Sequence, residues 1–235
     1  MPAPAETYLC PTTSTCKKQL SLLPIKEMNK TKCILALISA LVLSLGIVSC
    51  GDNKPNAPSS KNKKTYTQSR RCKGELGKDW IYFSFATGKE VPGIDETNFK
   101  ERTDWDIAIH SFYFRANCGT SGKGKGGVLM TNQTSLSAVK EAPTEGYIVD
   151  KAISIWGWKG ELIKAEVSGN PELNKMIGFS GPPPKYTPSD NIFIIRTADG
   201  KYAKVKMISY IDDSGKSGIV SFDYVYQPDG STKLD

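Results

Sequence analysis

Histidine is almost absent: the chain has one, His110, in 235 residues. No HxxxH pair can exist, and none of the six cysteines forms a CxxC, so a structural zinc site is not expected. Nucleophilic catalysis needs a base and an orienting acid around the nucleophile. Nothing beside His110 supplies them, so we expect a satisfied core or edge histidine and no enzyme. Heptads and internal repeats are missing too, and helical periodicity is scarce. The longest apolar run, residues 34–48, falls short of the ~20 residues that span a bilayer. Positive charge is lacking where a nucleic acid would need it. The formal net charge is +7, yet residues 74–235 carry 19 Lys and Arg against 21 Asp and Glu. The basic excess belongs to the leader and tether, and no nucleic-acid partner is expected.

What is present begins with Cys50. It closes the apolar run in Ile47-Val48-Ser49-Cys50-Gly51, behind a basic start at Lys30 and Lys32. That order of basic head, apolar stretch, small residues and cysteine reads as a bacterial lipoprotein signal, with Cys50 the lipidated residue. A secretory peptide cut elsewhere and a single-pass anchor are the alternatives. Residues 28–49 are then the signal peptide, and residues 1–27 a mis-called or extended start. Residues 50–73 are a flexible basic tether, with too little apolar surface to order itself. The expected location is an outer membrane, anchored by lipid and exposed on the surface.

Residues 74–235 are the size of one domain. Strand signals dominate it: residues 80–85, 104–115, 127–130, 147–149 and 152–156. Residues 191–196, 202–210 and 219–226 then form an antiparallel meander, with Ala198-Asp199-Gly200 as its first turn. Residues 161–167 and 171–177 are the two places where a turn or two of helix is expected. The fold class is mainly β: a single domain of antiparallel sheets with at most short helices.

Several segments invite a chemical reading. The glycine-rich residues 119–127 superficially suggest a phosphate loop, but Lys125 precedes Gly126 and a strand, with no helix to follow. A tight strand connection is expected. Asp104 and Asp106 flank Trp105 and are expected to face solvent or bond a neighbouring turn. Cys72 and Cys118 can pair or stay free; the sequence does not say whether their Cα atoms come within ~7 Å. Met207 and Met130 read as core. Met176 lies in a Gly- and Pro-rich region, where a thioether is either a gap filler or a soft ligand for haem iron or copper.

The chain resembles the HmuY family of haem-binding lipoproteins of Bacteroidetes. The resemblance is carried by YFSFATGKEV at 82–91, WDIAIH at 105–110, RANCG at 115–119 and TSGKGKGG at 120–127. It continues through PTEGY at 143–147, RTADGK at 196–201 and AKV at 203–205. It implies an all-β domain that captures haem outside the cell, often from host haemoproteins, and passes it to a TonB-dependent outer-membrane receptor. The departure falls on the site. The best-known member holds iron between two histidines, whereas residues 153–191 here contain none. GFSGPPPKY at 178–186 resembles the stretch bearing one of them, without the ligand, and His110 matches a family histidine that does not bind iron. Methionine pairs in some relatives make Met176 the candidate ligand, with Met130 as its partner if it folds close. Trp156, Trp158 and Tyr186 are the candidates for stacking on the porphyrin. The alternative is a surface module of the same fold that binds another tetrapyrrole, a glycan or a host protein without coordinating iron.

Overall fold

The computed structural model describes residues 62–235. The expectations for residues 1–27, for the signal peptide and for Cys50 lie outside the described residues. Two antiparallel sheets face each other. The first is built from β1 (Lys64–Thr67), β6 (Gly127–Met130), β11 (Ile192–Arg196), β12 (Tyr202–Ile211) and β13 (Ser217–Gln227), in the order β1-β13-β12-β11-β6. The second contains β2 (Ile81–Ser84), β3 (Lys89–Glu90), β4 (Ile107–His110) and β5 (Tyr113–Ala116), in the order β3-β2-β4-β5. Two further hairpins stand apart: β7 (Lys151–Trp158) with β8 (Leu162–Gly169), and β9 (Ile177–Ser180) with β10 (Lys185–Pro188).

The period-two alternation of side chains along a strand sorts residues into separate cores. Phe193 and Ile195 enter the main core between the large sheets, while Ile192 and Ile194 turn to a smaller cluster on the outer face. Phe83, Ile107 and Ile109 join the main core, and Tyr82 and Ala108 face a third cluster around Trp105. The mainly β class and the C-terminal meander are as expected, with β11, β12 and β13 paired antiparallel in order.

Four details differ from expectation. Residues 104–115 do not form one strand; they turn back at Ser111–Phe112, where Ser111 takes a φ of 58° and His110 pairs with Tyr113. Continuous alternation across the turn hid it. Residues 161–167 are not helical; all but Glu161 lie in β8, because β7 offers a partner in register from Lys151↔Gly169 to Trp158↔Leu162. Residues 147–149 contribute one bridge, Val128↔Ile148, rather than a strand. The fold also starts before residue 74. Tyr66 in β1 packs on Phe83 and Phe222, with ring centroids 4.4 and 4.9 Å away. Arg70 and Arg71 of the expected tether pair with Asp79 and Asp212.

Residues 119–127 behave as a tight connection. A Cβ added at Gly122 would lie 2.0 Å from the Asn117 side-chain oxygen, so the close approach requires glycine. That oxygen accepts the Gly124 amide at 3.1 Å.

Candidate ligand-binding cleft

A cleft of about 570 Å³ opens between the β7–β8 and β9–β10 hairpins, with the Ser111–Tyr113 turn among its walls. Its size sits within the roughly 300–1,000 Å³ typical of small-molecule sites. Each wall arises from a local pattern. Trp156 and Trp158, two residues apart, share one face of β7. Leu162 pairs with Trp158 across the arm. From the other hairpin come Phe179 and Tyr186, cross-strand partners in β9 and β10. The β4–β5 turn delivers Phe112 between them.

The rings form a connected set. Phe112 stacks on Phe179 with centroids 5.5 Å apart and an interplanar angle of 14°. Tyr186 lies 5.3 Å from Phe112, 5.4 Å from Phe179 and 4.7 Å from Tyr210. Much of this apolar surface meets solvent: Trp158 is 75% exposed, Leu162 64%, Phe179 53% and Trp156 46%. Single exposed apolar residues are ordinary, but a cluster around a cleft marks a binding surface.

Polar groups are few. The Tyr113 hydroxyl accepts the Trp156 amide at 2.9 Å and faces the Trp156 carbonyl at 3.4 Å, tying the arm to β5. Ser111 Oγ and Tyr210 Oη share a hydrogen bond of 2.7 Å. Tyr186 Oη has no hydrogen-bond partner among the described residues. Burial raises the phenol pKa of both Tyr113 and Tyr186 above the usual value, so both enter any binding event protonated.

Three of the residues expected from sequence, Trp156, Trp158 and Tyr186, are brought together here. The two methionines are not. Met176 ends the short 3-10 turn Leu173–Met176 and is fully buried in the main core, since the turn directs Leu173, Met176 and the following Ile177 inward together. Met130 is half-buried against the same core, and neither lines the cleft. Phe112, Tyr113, Leu162 and Phe179 are among the wall residues that sequence reasoning missed. The available signal was an aromatic, Phe179, isolated within a Gly- and Pro-rich stretch.

His110 is structural. Its Nε2 accepts the Gly77 amide at 3.0 Å, which leaves Nδ1 to donate to the Asp79 carbonyl at 2.9 Å. Burial lowers its pKa, keeping the ring neutral. Cys72 and Cys118 are free thiols, pushed up to about 11 and about 12 by burial. Asp104 pairs with Arg102. Asp106 is buried and accepts the amides of Phe85 and Ala198, at 2.7 and 2.9 Å. Among the described residues no group of three or more His, Cys, Asp or Glu could hold a metal ion.

The geometry defines a β-sandwich with an aromatic cleft at its margin. Residues 77–224 match the HmuY protein family, well over half of the chain, and the chain belongs to that family. Solved structures agree. A Bacteroides vulgatus protein described as a candidate HmuY-like haem-binding protein is 27% identical, with a TM-score of 0.51 over 71% of this chain and 93% of that one. A candidate lipoprotein from Bacteroides fragilis is 25% identical, with a TM-score of 0.51 over 73% and 94%. The ligand-free HmuY analogue of Tannerella forsythia, at 24% identity, shares the fold with a TM-score of 0.55 over 71% and 96%. No curated protein matches the chain.

Proposed function

We propose that this chain is a lipid-anchored surface protein that takes haem into the cleft between its two hairpins. The observation that carries the reading is the cleft itself: an apolar slot walled by Trp156, Trp158, Phe179 and Tyr186, in a member of the HmuY family. Flat aromatic walls suit a porphyrin, since ring stacking adds about 0.5–1.5 kcal/mol per pair beyond simple burial. Anchored through Cys50 to an outer membrane, the domain takes haem from host haemoproteins and passes it to a TonB-dependent receptor. Capture here works through affinity, and no bond in the ligand is made or broken.

Titrating haem into the purified chain tests this. A saturable shift of the Soret band is expected. The absence of any shift with both ferric and ferrous haem would overturn the reading. A second reading keeps the cleft without the iron, for another tetrapyrrole, a glycan or a protein segment. What favours it is that, among the described residues, no histidine, methionine or cysteine lines the walls. Equal affinity for haem and metal-free protoporphyrin is the result that would select it.

A further inference from the structure

We propose that the phenol oxygen of Tyr186 is the cleft's ligand for ferric haem iron, in place of a histidine or a methionine. The inference rests on the haem reading above and deepens it.

Few donor atoms could reach a ring in the cleft. The Ser111 hydroxyl is already paired with Tyr210, and the Tyr113 hydroxyl is held by the Trp156 backbone. Of the three hydroxyls that line the cleft, only that of Tyr186 has no partner among the described residues; the Trp156 and Trp158 indole N–H groups have none either but offer no lone pair to a metal. Donors near the cleft but off its walls are also occupied. His110 uses both ring nitrogens, and the Cys72 thiol donates to the Ile109 carbonyl at 3.4 Å. The Met176 sulfur is enclosed by the main core.

Position supports the same residue. Tyr186 pairs across β10 and β9 with Phe179, and its ring sits among Phe112, Phe179 and Tyr210. The ring is therefore packed against three others, and its hydroxyl, on a half-buried residue, has no protein partner among the described residues. An aromatic slot with one free phenol fits a haem held by stacking and a single oxygen ligand. Tyrosine is an established class of axial haem ligand. On binding, the O–H bond breaks, the oxygen lone pair forms the Fe(III)–O bond, and the proton passes to solvent; iron keeps its oxidation state. A hard anionic oxygen favours ferric over ferrous iron, whereas a thioether favours the reverse. The two ligand types thus give opposite redox signatures.

The test uses the full chain, ferric haem, dithionite-reduced haem and metal-free protoporphyrin, with Tyr186→Phe and Met176→Leu as variants. Tyr186→Phe retains the ring and its packing, so the fold is retained, which circular dichroism checks. In the unaltered protein we expect a high-spin ferric spectrum with a phenolate-to-iron charge-transfer band, and weaker binding after reduction. Tyr186→Phe should lose that band and on the order of tenfold or more in ferric haem affinity, since even outer-shell partners of a metal ligand are worth that much. Its affinity for metal-free protoporphyrin should fall much less than its affinity for ferric haem. Met176→Leu should leave the ferric spectrum intact. An unaltered ferric spectrum in Tyr186→Phe overturns the assignment while leaving haem binding standing, and so does its loss in Met176→Leu. Failure of the unaltered chain to bind either ring overturns both this assignment and the haem reading.

Discussion

Asp150 is buried where three backbone segments meet. Its carboxylate accepts the Ala116 amide at 3.0 Å and the Asn170 side-chain amide at 2.8 Å, and Cys118 Sγ lies 3.5 Å away. Those contacts favour the charged form, yet burial outweighs them and pushes the pKa up to about 6 from 3.8. The folded state thus binds a proton more tightly than the unfolded one. This group's contribution to stability is greatest below about pH 4 and declines as pH rises through 6. The shift corresponds to on the order of 3 kcal/mol. Asp79 acts in the opposite direction, because its hydrogen bonds to Arg70 lower its pKa, so the slope of the whole protein mixes both signs. Urea melts from pH 4 to pH 7 should isolate the effect: the difference in midpoint between the unaltered chain and Asp150→Asn should change across that interval. A difference that stays constant would mean that Asp150 keeps an ordinary pKa. None of this was legible in the sequence, where Asp150 follows the exposed Ile148 and Val149 and shows no sign of burial. His110 was legible, because a lone histidine among apolar strand residues has few other options.

At the scale of elements, the β7–β8 arm decides what the cleft can do. A two-stranded hairpin is marginal alone, and this one is fastened along its length. Ile155 is fully buried, Arg115 Nε donates to the Ser168 carbonyl at 2.8 Å, and the Tyr113 hydroxyl holds Trp156. Its distal end, with Trp158 and Leu162, meets solvent. Trp158→Ala should therefore change stability by no more than about 0.5 kcal/mol. It should weaken haem binding by about 1 kcal/mol or more, roughly fivefold. Ile155→Ala, which opens a core cavity, should cost about 2–5 kcal/mol of stability instead. Denaturant melts and haem titrations on both variants check the separation; a strongly destabilised Trp158→Ala would mean that the arm's end is packed rather than free. The arm also shows where sequence reasoning stops. Trp156 and Trp158 were identifiable as candidate stacking residues, but β8 looked helical because only pairing with β7 settles its conformation. The turn at Ser111 was hidden for a related reason. Serine is a poor signal for a positive φ, unlike the Asp199-Gly200 pair, and the Tyr210 hydroxyl that supports it lies 99 residues away.

Across the whole molecule, the cleft is an extension of the core rather than a separate compartment. Phe112 and Tyr186 are half-buried residues packed against the cluster that fills the space between the two sheets. The meander, whose Tyr210 abuts the cleft, was readable because its turns and alternation are local in sequence. The cleft was not, because it exists only once two hairpins and a turn converge. This continuity has a thermodynamic consequence. A ligand seated on Phe112 and Tyr186 binds a surface that vanishes on unfolding, so it stabilises the entire cooperative unit by mass action. At free haem one hundred times the Kd, the gain is about 2.7 kcal/mol. For a domain of this size, each kcal/mol raises Tm by roughly 2–4 °C, which puts the expected shift at about 5–10 °C. Trp158→Ala should show a smaller shift at the same haem concentration, because its Kd is higher while its ligand-free stability is unchanged. A Soret change without any rise in Tm would place the ring on a surface that survives unfolding, outside the cleft. A rise that scales with haem concentration and shrinks in Trp158→Ala would place it between the hairpins.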